Sequence, residues 1–136
     1  PRMSGCLYEY VQLYALMGET KKAAELGKKL LNIYNTVFSF FENSNAMIAI
    51  EPGTMNSNRD DLFAAADACF KMQKAVQGMA FEKEVTDVLN NLYGKILPDI
   101  ENELSTLGLS ENMEALNQLF KEHMANMATE YNYILK

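Results

Sequence analysis

Tryptophan is absent, histidine occurs once, cysteine twice and proline three times in the 136 residues. Each scarcity removes a class of chemistry. A lone His123 cannot build a His-rich metal site within one chain, and the inward Glu plus Glu-x-x-His pairs of di-iron bundles have no counterpart. Two cysteines, Cys6 and Cys69, are too few for a disulfide framework. Each lies in an apolar helical run, where a buried, inert thiol is the expected state. The seven glycines are scattered at expected helix ends, so there is neither a Gly-rich phosphate loop nor a Gly-x-Ser-x-Gly nucleophile elbow. No apolar run approaches the ~20 residues that cross a bilayer, and none of these residues reads as a signal peptide. A surplus of positive charge is also missing. The net charge of −6 opposes sequence-independent nucleic-acid binding and docking on an anionic lipid surface.

What is present is ordinary globular material, 49% apolar and 22% charged, with the Leu, Ala, Met, Glu and Lys usage that favours helix. The length predicts one domain, residues 1–136, large enough to fold without metal or disulfide. The fold class expected is all-α: antiparallel helical hairpins, five to seven helices in all, ending in a long C-terminal helix. Residues 1–42 form the first hairpin, 43–58 an irregular connection, and 59–136 the remaining helices.

The apolar spacing supports this reading. Leu7, Tyr10, Val11, Tyr14 and Met17 mark a helix from Ser4 to Met17, which Gly18 stops and after which Thr20 is the expected N-cap. Ala23, Gly27, Leu30, Leu31, Tyr34, Val37, Phe38 and Phe41 form the clearest stripe. The turn signals Asn43-Ser44-Asn45 and Glu51-Pro52-Gly53 enclose a short apolar piece, Ala46–Ile50. A third helix is expected from Asn58 or Arg59, with Leu62, Phe63, Ala66, Cys69, Phe70 and Val76 inward and a break near Gln77-Gly78. A fourth carries Phe81, Val85, Val88, Leu89 and Leu92 and ends near Gly94. Pro98 opens a short fifth helix that Gly108 closes. Ser110 caps the last, with Met113, Leu116, Phe120, Met124, Met127, Tyr131 and Leu135 along one face.

No constellation in this pattern reads as catalytic, cofactor-binding or metal-ligating, and no cofactor is expected. The carboxylate pairs Asp60/Asp61, Glu82/Glu84 and Glu101/Glu103 sit near helix starts, where the helix dipole and solubility explain them. Cys-His catalysis would require folding to bring Cys6 or Cys69 to His123. Two surface features are candidate partner contacts: Phe40, which neighbours the second helix's stripe without belonging to it, and the basic cluster Lys21, Lys22, Lys28 and Lys29.

Residues 7–34 resemble a tetratricopeptide helical hairpin. Tyr14, Gly18 and Ala23 match its aromatic–x3–Gly–x4–Ala spacing: the aromatic fills the space between paired helices, glycine permits the turn, and alanine permits close approach. Gly27, where the repeat prefers a large residue, and Asn35, where proline is common, depart from it. Arg2-Met3-Ser4-Gly5 followed by this hairpin is similar to the C-terminal soluble tail of a bacterial family of multi-spanning membrane proteins that resembles protein O-mannosyltransferases. Asp61–Phe70 looks like the start of that tail's second pair, although Lys74 stands where glycine would be expected. The likeness is closest over residues 1–35 and fades beyond 90. It implies a tail on the extracytoplasmic side, joined to a membrane part upstream of Pro1, and carries no active-site residue onto this stretch.

The expected function is therefore a non-catalytic helical interaction or scaffolding domain, with a protein partner or its own upstream membrane domain. A small-molecule or lipid-binding bundle, its cavity lined by methionine and aromatic side chains, is the alternative; a cytoplasmic location is the alternative to a membrane-associated one. An enzyme working through scattered carboxylates is the third reading.

Overall fold

Helix α1 (Arg2–Leu16) stops in the way its sequence demands. Gly18 adopts φ +79°, its N–H reaches Ala15 O (3.1 Å), and the Glu19 N–H reaches Tyr14 O (2.9 Å). This is a Schellman stop with glycine at the left-handed position. The chain reverses within three residues into α2 (Thr20–Phe40), and the two pair as a hairpin. Thr20 is the first helical residue, not the cap. Glu19 occupies the cap position, and no side chain bonds to the free N–H groups there.

The computed structural model describes residues 2–42 and 52–134, with side chains over 7–42 and 59–134. Among the described residues all regular structure is helical. Beyond the hairpin lie α3 (Pro52–Ala75), α4 (Glu82–Asn91), a π-helical turn (Leu92–Ile96), α5 (Leu97–Ser105) and the long α6 (Glu111–Glu130). Asn43–Ser44–Asn45, the apolar Ala46–Ile50 piece, Glu51 and Leu135 fall outside the described residues.

The third helix begins six residues before Asn58. Pro52 reads as a turn residue in sequence, but its missing N–H and preset φ also suit the first helical position, where that donor has no partner anyway. Asn58 therefore lies within the helix rather than at its start. The α3 face is also wider than its spacing suggests: Ala65, Ala68 and Met72 are buried with Leu62, Ala66, Cys69 and Phe70. The reason is position. α3 packs against α1, α2, α4 and α6, and a helix covered on most sides needs a wide apolar surface. Its alanines let those neighbours approach.

The α2 stripe is buried as spaced, apart from the half-buried Val37. Gly27 faces the ring of Phe81: a Cβ at that position would lie 2.5 Å from Phe81 Cε2. The residue that departs from the tetratricopeptide pattern is small because Phe81 already fills the space a large side chain would take.

α3 breaks at Gly78 (φ +87°), whose N–H is taken by Glu82 Oε1 (3.0 Å). The next helix does not end at Gly94. It continues through the π turn, where the Leu97 N–H reaches Leu92 O five residues back, and into α5, which has Pro98 in its first turn. Proline clashes with the carbonyl four residues earlier and donates nothing to it; the wider turn relieves both problems. It also corrects the helix's phase. Buried Val85, Leu89, Leu92 and Ile96 follow a 4-3-4 spacing, whose continuation would turn Asp99 and Glu103 inward. The π turn absorbs one extra residue, so that Ile100 and Leu104 are buried instead.

Ser110 caps α6 as its sequence indicates, its Oγ accepting the Met113 N–H (3.2 Å). α6 ends in a second Schellman stop. Asn132 takes φ +54°, and the Tyr133 N–H reaches Ala128 O (2.8 Å), which folds Tyr133 back onto the bundle.

Candidate functional site

α6 packs sparsely on the rest of the bundle. Phe120, Met124 and Met127 are buried one or two turns apart, and its close neighbour is α3 rather than α5. Between α5 and α6 runs a groove of about 430 Å³. Leu97, Ile100 and Leu104 form one wall, Phe120 and Met124 the other, with Tyr93 and Leu109 also lining it. Glu101, Ser105, Glu114, Asn117, Gln118 and Lys121 edge it. One ion pair spans it, Lys121 Nζ to Glu101 Oε1 at 2.6 Å. Both side chains are more than half exposed, so this strap holds the helices together weakly.

The segment that forms the two helices flanking the groove carries the whole net charge of the protein. Residues 97–130 contain seven acids, Asp99, Glu101 and Glu103 on α5 and Glu111, Glu114, Glu122 and Glu130 on α6, against the single Lys121, while acids and bases elsewhere balance at eleven each. Asp99 lies 3.9 Å from Lys95, and Glu101 is held by Lys121. Among the described residues Glu111, Glu114, Glu122 and Glu130 form no ion pair.

α6 is fastened at several points, some at residues that line the groove and others beyond the helix end. The Tyr93 hydroxyl donates to Met124 O (2.8 Å). Arg59, the buried charged side chain of α3, donates through Nη2 to Asn117 Oδ1. Beyond the helix end, Tyr131 stacks on Phe70 with ring centres 5.0 Å apart and donates its hydroxyl to Asp67. Tyr133 meets Phe70 and Tyr93 at 5.5 and 5.2 Å and donates to Asn90. Asp67 also accepts from Lys71 at 2.9 Å, and Lys74 sits 5.2 Å over the Tyr131 ring.

Burial, reinforced by the hydrogen bond to Asp67 and the charge of that carboxylate, pushes the Tyr131 hydroxyl up to about 12. Burial also raises Tyr93 and Tyr133. A hydroxyl that releases its proton later when folded stabilises the fold fully below its unfolded pKa of about 10, and that contribution is lost as pH rises towards the folded value. Stability measured by urea unfolding is therefore expected to fall between pH 10 and about 12. Tyr131→Phe should be less stable near neutrality yet show a shallower alkaline decline; an unchanged slope would remove Tyr131 from this role.

The residues singled out by sequence lie elsewhere. Tyr14 is half-buried at the hairpin turn, Ala23 is fully buried and Gly18 makes the turn. Phe40 is 55% exposed, its ring edge-on to Phe41 at 5.4 Å. Lys21, Lys28 and Lys29 face solvent; Lys22 is also exposed, 3.4 Å from Glu19 and 6.0 Å over the Tyr14 ring. Phe40 stands roughly 16 Å along α2 from Lys29 at 1.5 Å per residue, so the aromatic and the basic cluster do not form one site.

Cys69 is fully buried, and burial pushes its thiol pKa up, which keeps it protonated and unreactive. His123 is exposed against the Phe63 ring, 4.1 Å between centres. The Cys6 side chain lies outside the described residues. Asp60, Asp61, Glu84, Glu101 and Glu103 are on the surface, and among the described residues no three His, Cys, Asp or Glu side chains gather where an ion could be held. No helix among them is long and apolar enough to cross a membrane.

The groove is not legible in the sequence: the step from Ile96 to Ile100 to Leu104, where three-four alternation gives way to fours, marks the π turn and not the gap beside it. Comparison with family models, with characterised proteins and with solved structures returns no match.

Proposed function

We propose that this chain is a non-catalytic interaction domain whose α5–α6 groove holds apolar side chains of a partner protein. The observation that carries the reading is the groove itself. It is a preformed apolar trough edged by polar groups, the arrangement by which helical domains accept the anchors of another helix. Its occupant is one that the strap from Lys121 to Glu101 closes over or makes way for. On the likeness of residues 1–35 to membrane-protein tails, the partner would be the membrane-embedded part of the same protein.

The uncharged fluorophore 1-N-phenylnaphthylamine tests the groove. It is expected to brighten on binding, to be displaced by an amphipathic helical peptide, and to be excluded by Ala125→Trp, because Ala125 lines the groove on α6 and a tryptophan there would fill it. Binding that survives Ala125→Trp, or no binding at all, would end the reading.

The volume of about 430 Å³ also falls within the ~300–1,000 Å³ of small-ligand pockets, which favours a bound apolar small molecule as the second reading. Native mass spectrometry of gently purified protein distinguishes the two: a retained mass lost in Ala125→Trp would favour the small molecule.

A further inference from the structure

We propose that the partner segment taken by the α5–α6 groove is a cationic amphipathic helix, apolar along one face and bearing lysine or arginine beside it. This rests on the groove being a partner site and adds the partner's chemistry.

The placement of charge carries the inference. The protein is neutral outside residues 97–130 and six charges negative within them, and those residues form the two walls. Glu101 and Glu114 stand on the groove's edge, with Glu122 one turn along α6 from the edge residue Gln118, which donates to it (3.3 Å). The one base among them, Lys121, is engaged with Glu101. Burying the two apolar walls under an anionic partner would crowd like charges around a region that water leaves, and like-charge juxtaposition at an interface is penalised. A cationic partner gains from the same field, both in encounter rate and in specificity.

The dimensions agree with a helix. α5 is nine residues long, about 13 Å at 1.5 Å per residue. That is the distance over which a helix presents anchors at i, i+3 or i+4, and i+7. Those anchors would settle between Leu97, Ile100 and Leu104 on one side and Phe120 and Met124 on the other. A partner lysine or arginine would then compete with Lys121 for Glu101. The strap thus acts as an internal stand-in for the partner's charge, and removing it has a distinctive consequence: Lys121→Gln should strengthen binding of a cationic helix, because Glu101 no longer has to be released first.

The test uses three synthetic helices sharing one leucine stripe and carrying lysine, glutamine or glutamate at the remaining positions, titrated into the whole chain by calorimetry. The lysine helix is expected to bind about tenfold or more tighter than the glutamate helix, a difference of about 1.4 kcal/mol, and high salt should shrink the gap. Glu101→Gln with Glu114→Gln should narrow it as well, while Lys121→Gln should tighten the lysine helix several-fold. Ala125→Trp should abolish binding.

Equal binding of all three helices would overturn the cationic assignment and leave the groove reading standing. Failure of all three together with the uncharged fluorophore would remove both. Binding of the lysine helix unaffected by Ala125→Trp would mean a coating of the acidic surface, and would also overturn the assignment. α1 and the turn after it expose Tyr10, Leu13, Leu16 and Met17 close in sequence to Lys21 and Lys22. If sedimentation showed chains growing in mass with concentration and Ala125→Trp stopped that growth, the occupant would be this hairpin from a second copy and the foreign helix would be ruled out.

Discussion

Replacing Phe70 with alanine is expected to lower the folding free energy by about 3–5 kcal/mol and the thermal midpoint by roughly 10 °C or more. Phe70 is 1% exposed on α3, and its ring meets three others: Tyr131 stacked at 5.0 Å, Tyr133 edge-on at 5.5 Å and Tyr93 tilted at 5.7 Å. Alanine removes the hydrophobic burial and leaves a cavity, and it takes away aromatic pairings worth a further fraction of a kcal/mol each. The loss is concentrated where the chain turns back after α6. Tyr131 and Tyr133 would keep hydrogen bonds to Asp67 and Asn90 but lose the ring they rest on. Without tryptophan, near-ultraviolet circular dichroism reports mainly tyrosine packing, so it should weaken in the variant before helical signal is lost on heating. Amide exchange should accelerate most towards the C-terminal end of α6. A loss below about 1.5 kcal/mol, with an unchanged tyrosine signal, would show that the cluster does not fasten α6.

Gly27→Leu is the second large effect, and Gly27→Ala is its sharper test. On intrinsic propensity alone, alanine within a helix should stabilise by about 1 kcal/mol over glycine. The opposite is expected here. A Cβ at position 27 would meet Phe81 at 2.5, 3.0 and 3.2 Å, and Phe81 is itself 3% exposed at the start of α4. Its ring is buried, so yielding to the new carbon would displace packed neighbours. Overpacking of this kind costs about 1–3 kcal/mol, so alanine should be net destabilising by up to about 2 kcal/mol, and leucine by about 3 kcal/mol or more. Urea unfolding measures both. Combining Gly27→Ala with Phe81→Leu should recover part of the loss through coupling between touching residues. A more stable Gly27→Ala would mean that α2 and α4 are not held together at this point.

The helices were legible where one face is apolar and the other wet. The α2 stripe from Ala23 to Phe41 could be read residue by residue, because α2 packs along one side and 3.6 residues per turn translate that side directly into spacing. Gly18 and Ser110 were legible for a related reason: a left-handed stop and an N-cap are set by the residue's own backbone and side chain. The method failed where one local signal permits two structures. Pro52 is compatible with a turn and with a helix's first residue, and Thr20 with a cap and with the first turn. Gly94 resembles a helix end, yet it lies within a π turn that exists because Pro98 follows and because Ile100 and Leu104 must reach the core.

The candidate site was far less legible than the fold. Phe120 and Met124 read as core residues of the last helix, Leu97, Ile100 and Leu104 were assigned no face, and most of the five are buried. Nothing in their spacing says that the two rows stand apart instead of closing on each other. Phe40 drew notice because it neighbours the stripe without belonging to it, and the α2 lysines because they cluster, but both features occur on exposed helix faces whether or not something binds there.

Composition and spacing by themselves therefore determined that this protein is helical, roughly where its rods run, and that its excess of acid lies towards the C-terminal part, since all of these follow from local chemistry repeated along one chain. Only the tertiary structure decided which apolar faces meet. The gap between α5 and α6, the fit of Phe81 over Gly27 and the return of Tyr131 and Tyr133 to Phe70 each depend on distances between residues far apart in sequence, and helical periodicity carries no information about those distances.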